Sequence, residues 1–76
     1  MTDEQLRDLR ARLAARPAGE FHFPEIWPGD WSALWIGDKV KLGRAFLQAV
    51  RKGALPGVED LGRKSAGGRV YRWSGG

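Results

Sequence analysis

Between Lys41 and Lys52 the chain places Lys41, Arg44, Gln48, Arg51 and Lys52 at spacings of three and four residues. At ~100° per residue these fall on one arc of a helix. The arc holds no acid, whereas solvated helix faces usually mix both signs. Its chemistry is that of a reading surface. Arginine can give two hydrogen bonds to a guanine edge, and glutamine can do the same with adenine. Lysine supplies phosphate contacts, which hold register without reading sequence. A second basic cluster, Arg63, Lys64 and Arg69, surrounds the flexible run "SAGG", and Arg72 follows it.

Other chemistry finds little support. The lone histidine, His22, stands between two phenylalanines and reads as a strand-face residue rather than a general base. Beyond the pair Glu59-Asp60 and the acid-rich first turn of the chain, the acids lack the spacing of metal ligands. No phosphate loop of the GxxxxGK type and no nucleophile elbow is present. The chain has no cysteine, which excludes disulfides and thiolate metal sites. The expectation is a binding protein, not an enzyme, with no catalytic residue, no cofactor and no metal.

Charge is distributed unevenly. Residues 1–37 carry four arginines and six acids, a balance of −2; residues 38–76 carry nine cations and three acids, a balance of +6. A basic half of this kind suits an anionic partner such as nucleic acid. The longest apolar run is far too short to span a bilayer. The first residues, "TDEQ", do not resemble a secretory signal. These features, with the lack of cysteine, fit a cytoplasmic protein.

The elements that must position the cations read as follows. "TDEQLRDLRARLAARP" is a helix: Thr2 and Gln5 form a capping box, and Leu6, Leu9 and Leu13 make one stripe. Its arginines pair with nearby acids, and Pro17 ends it. Phe21, His22 and Phe23 make a brief strand with both phenylalanines on one face. "DWSALWIG" reads as a short helix capped by Asp30, with Trp31, Leu34 and Trp35 at i, i+3, i+4, ended by Gly37. A third helix, capped by Asp38 and terminated by Gly53, buries Leu42, Phe46, Ala49 and Val50. Gly43 costs roughly 1 kcal/mol relative to Ala inside it, so it allows close packing or marks a late start. Residues 57–64 and 69–73 make a β-hairpin, and 74–76 a tail.

The four tryptophans are expected mainly in the core. Tyr71 and Trp73 share a strand face; stacking on the bases of a single strand is the weaker use for them.

This order resembles winged helix-turn-helix DNA-binding domains. It predicts an α+β fold with three helices, a C-terminal β-hairpin wing and one short extra strand. All 76 residues then form one domain: helix 1–17, strand plus helix-turn-helix 20–53, wing 57–73. "LGRAFLQAVRKGALPGV" followed by "GRVYRW" also resembles an uncharacterised group of small bacterial and phage proteins. The matching positions are Trp31, Leu42, Gly43, Phe46, Val50 and Tyr71, which are mostly apolar and speak for fold rather than activity.

The expected partner is double-stranded DNA, bound by a monomer or weak homodimer acting as a small transcriptional regulator. Lys39, Lys41, Arg44, Gln48, Arg51 and Lys52 would face the major groove or its phosphates. Arg63, Lys64, Arg69 and Arg72 would contact backbone from the wing. A continuous face carrying both Arg44 and Arg63 would favour DNA binding, and acids of the first helix breaking that face would count against it. The alternative is a protein-binding inhibitor, anti-CRISPR-like, docked on a host nucleoprotein complex.

Overall fold

The computed structural model describes residues 1–65 and 68–75. Ala66 and Gly67, which form the centre of the expected "SAGG" turn, lie outside the described residues, as does Gly76. The first helix, α1, spans Asp3–Ala14. Thr2 and Gln5 close the capping box at its start, each side chain accepting from the other's backbone N–H (3.0 and 3.1 Å). Leu9 and Leu13 are its buried stripe.

The chain then enters β1, Gly19–His22, and passes through two single 3₁₀ turns, Phe23–Ile26 and Trp31–Ala33. The second helix, α2, runs over Ile36–Arg51. Gly53 (φ +78°) ends it: its N–H reaches the Val50 carbonyl (3.1 Å), and the Ala54 N–H reaches Ala49 (3.0 Å). That pair of bonds is a Schellman closure, which needs a left-handed residue at this position. Strands β2, Val58–Ser65, and β3, Gly68–Trp73, follow.

The three strands form one antiparallel sheet in the order β1-β3-β2. Alternation along β3 sends Tyr71 and Trp73 inward and Arg72 outward. Outside, Arg72 stands between Glu20 and Glu59 on the flanking strands. Inside, Phe21 lies opposite Tyr71, and their rings stack at 5.8 Å. Helix α2 seats Phe46 (0% exposed) against Phe23, Tyr71 and Phe21 at ring separations of 4.4, 4.8 and 6.4 Å. Trp73 closes the opposite end, donating its indole N–H to the Arg16 carbonyl at 3.2 Å.

This architecture overturns the winged helix-turn-helix expectation. Among the described residues the fold is α+β with two α-helices and a three-stranded sheet, not three helices and a wing. "DWSALWIG" yields only one 3₁₀ turn, because Leu34 and Trp35 are extended (ψ 145° and 151°). Asp30 does cap that turn, accepting from the Ser32 N–H at 3.1 Å. A helix this short survives only on tertiary packing, since its first turn fixes several dihedrals for one bond. Trp31 has that packing, against Phe23 (5.4 Å) and Trp27 (6.0 Å). Trp35 does not; it is 81% exposed. Consequently α2 starts before Asp38, and Gly37 and Asp38 lie in its first turn rather than between two helices. The hairpin is no projecting wing either. Its strand β3 is the centre of the sheet and supplies core residues, and among the described paired residues Lys64, Ser65, Gly68 and Arg69 run past β1.

Gly43 has a plain position within α2, yet a Cβ built there would meet nothing within 4 Å. Neither close packing nor a late helix start explains it. Gly43→Ala is therefore expected to stabilise the fold by about 1 kcal/mol, raising the melting temperature by roughly 4–8 °C for a domain of this size. Differential scanning calorimetry reads the shift; an unchanged or lowered melting temperature contradicts the geometry.

Candidate functional site

One open cleft of about 780 Å³ separates the N-terminal half of α2 from the far end of the β2–β3 pair. Four of the predicted cations line it: Lys39 and Arg44 from α2, Lys64 from β2 and Arg69 from β3. The helix places its pair there because residues 39, 40, 43, 44 and 47 form a stripe beside the core arc. The sheet places its pair there because Lys64 and Arg69 are register partners beyond the end of β1.

Between the cations the wall is apolar. Val40, Gly43 and Leu47 come from α2, Trp31 and Phe23 from the turns before it. Past the cleft the same stripe continues to Ile36, which is 79% exposed; Val40 is 56% exposed, and Trp35, just before the helix, is 81% exposed. Composition alone did not single out these residues. The signal was present, however. Ile36 and Val40 fall on a wheel position outside the arc needed to bury Leu42, Phe46, Ala49 and Val50, so the apolar arc of α2 is wider than its core contact; Leu47, between the two, packs partly on the core.

The cations differ in how free they are. Asp60 is half the explanation. It accepts from the Arg69 guanidinium at 3.0 Å and lies 3.7 Å from Arg51. Burial opposes its ionisation, but the Gly62 N–H (3.0 Å) and the two guanidiniums together hold its carboxyl below the usual range. Arg51 and Arg69 are thus engaged within the fold. Arg63 is drawn to Glu20 on the outer sheet face at 2.7 Å, and Arg72 faces Glu20 and Glu59 across the strands. Arg44 and Arg63 accordingly do not share a surface. By contrast, Lys39, Lys41, Arg44, Lys52 and Lys64 have no ion-pair partner among the described residues. Lys41, Gln48 and Lys52 are exposed on the outward stripe of α2, next to Arg44 but outside the cleft.

The acid in the cleft is Glu25, and it is already satisfied. It accepts from the Arg16 guanidinium (3.1 Å) and from the His22 backbone N–H (2.7 Å). His22 in turn lies 3.0 Å from the Arg69 carbonyl through Nδ1 and packs over Gly68, a contact of architecture. Tyr71, which forms part of the cleft floor, is 2% exposed. Base stacking on Tyr71 or Trp73 is therefore closed off, since both rings are core. Among the described residues no group of acids and histidine is arranged to hold a metal, and no helix is long and apolar enough to cross a membrane.

Residues 7–72 match the family described as Domain of unknown function (DUF1413). The chain belongs to the DUF1413 family. The match runs from the first turns of α1 to the end of β3, so this DUF1413 domain contains both helices and all three strands, with the cleft among them. It agrees with the resemblance to an uncharacterised group of small proteins, and it carries no sign of a winged helix. No curated protein and no solved structure matches the chain.

The floor of the cleft can be tested through its single tyrosine. Burial first, and the Asp60 carboxylate second, raise the Tyr71 phenol from 10.0 to about 12. The folded chain then holds that proton more tightly than the unfolded one. The stabilisation is complete below pH 10 and fades as pH rises from 10 towards about 12. Tyrosinate absorbance is expected to titrate near 12 in the native protein and near 10 in denaturant. Asp60→Asn should lower the native midpoint. A native midpoint at the ordinary value would place Tyr71 in solvent.

Proposed function

We propose that this DUF1413 domain is a nucleic-acid-binding module that engages double-stranded DNA through α2. One observation carries the reading: Lys39, Lys41, Arg44, Lys52 and Lys64 have no ion-pair partner among the described residues, and α2 bears no acid after Asp38. Unpaired cations along one helix stripe release counterions when they meet phosphates, which favours binding at low salt. Lys41, Arg44 and Gln48 form the outward stripe, with Lys52 at its C-terminal end and Lys64 reaching from the hairpin side. Lys39 lies one turn before Gly43, at the mouth of the cleft. Arg51, Arg63, Arg69 and Arg72 drop out of the contact set, because acids of the fold hold or face them.

Electrophoretic shift and fluorescence anisotropy with a duplex test this at several salt concentrations. Binding is expected at low salt, with log affinity falling by about 0.9 per contacted phosphate for each unit of log salt. Arg44→Ala and Lys41→Ala should each weaken binding uniformly across sequences and reduce that slope by about one. Arg63→Ala should leave both nearly unchanged. If the duplex fails to bind even at low salt, or if Arg63→Ala weakens it as much as Arg44→Ala, the reading is wrong.

A further inference from the structure

The free cations explain one side of α2; the apolar ledge beside them needs a separate explanation. Trp35, Ile36 and Val40 are the large hydrophobic residues left exposed, and all three lie within the first turn and a half of the helix or just before it. Scattered exposed apolar residues are ordinary, but a contiguous group marks an interaction surface. Val40 belongs to the cleft wall, Ile36 stands one helical turn before it, and Trp35 directly precedes Ile36. Residues 36, 40, 43 and 47 stand on one stripe at ~100° per residue, and three of them line the cleft.

Gly43 gives a second and independent indication. A glycine in the middle of a helix is unfavourable, and here no intramolecular neighbour approaches the place where a Cβ would stand. The fold itself has no use for the bare backbone. The bare point sits in the middle of the cleft wall, between Val40 and Leu47.

We propose that the cleft and its ledge dock an acidic amphipathic helix of a partner protein. The apolar contacts are Trp35, Ile36, Val40 and Leu47, with Gly43 letting the partner's backbone come close. The stripe from Ile36 to Leu47 rises about 16 Å at 1.5 Å per residue, which matches three turns of a docked helix. Charge selects the occupant: Lys39 and Arg44 flank the stripe on α2, Lys64 faces it from β2, and the Glu25 carboxylate is already held by Arg16. Acids on either side of the partner's apolar face would meet these cations. Apolar side chains of this kind offer little to a phosphate backbone, which favours a protein occupant for the ledge. It is distinct from the outward stripe proposed for DNA, and Arg44 lies on the border of both.

The test uses the full chain and a labelled synthetic helix of about fourteen residues, with leucine and phenylalanine at i, i+3, i+4 and i+7 flanked by glutamates. Its lysine-for-glutamate counterpart and polyglutamate of equal length serve as comparisons. The acidic helix is expected to bind with a Kd below about 1 mM, with both comparison peptides at least about tenfold weaker. Val40→Glu and Gly43→Leu should each weaken binding about tenfold or more, with circular dichroism unchanged. Val40 is exposed, so its variant keeps the experiment decisive even if Gly43→Leu folds poorly. Lys41→Ala, which weakens the proposed DNA contact, should leave peptide binding unchanged. The proposal is overturned if the acidic helix does not bind, or if polyglutamate binds equally well. It is also overturned if sedimentation shows a dimer that Val40→Glu abolishes, because a second copy would then occupy the ledge.

Discussion

Phe46 is the contact on which the rest of this small fold depends. It is fully buried at the middle of α2, stacks on Phe23 and meets the edges or faces of Phe21 and Tyr71. Through it one helix is held to β1, to the turn after β1 and to the central strand. A chain of this length buries a smaller fraction of its surface than a large domain does, so a few large side chains carry most of the apolar gain. The aromatic cluster supplies that gain without a disulfide.

Seating Phe46 also decides what α2 cannot bury. The helix touches the sheet along Phe46 and Ala49, and its first turn extends past the edge of the core. Trp35 and Ile36 are carried out with it. The same placement lifts Val40, Gly43 and Leu47 into the wall of the cleft and turns Lys41 and Gln48 outward. The exposed ledge and the free basic stripe are thus two consequences of one packing decision. Asp60 adds the complement on the sheet side. By taking Arg51 and Arg69 into internal pairs, it leaves Lys39, Arg44 and Lys64 as the cations available around the cleft.

Local signals were legible where they depend on neighbours in sequence. The capping box at Thr2, the stop at Gly53, the Asp30 cap and the buried faces of Leu9 and Leu13 all follow from backbone chemistry over a few residues. The tryptophan segment misled for a definite reason. Trp31 and Trp35 have helical spacing, but spacing promises a shared face only if both rings find a core, and one did not. The basic residues misled in another way. Arg63 and Arg69 look alike beside a flexible turn, yet strand alternation and the irregularity between Asp60 and Lys64 send them to different acids.

By itself the sequence determined the type of the two long elements' ends, the apolar stripe that α2 must bury, the basic character of the second half, and the lack of any thiol chemistry. These depend on residue type and short-range periodicity. Tertiary structure alone decided that "DWSALWIG" is not a helix, that β3 is the central strand, which arginines are held by acids, and that Gly43 stands bare in an open cleft. Each of those outcomes depends on which distant groups come within a few ångströms, and neither charge count nor periodicity contains that information.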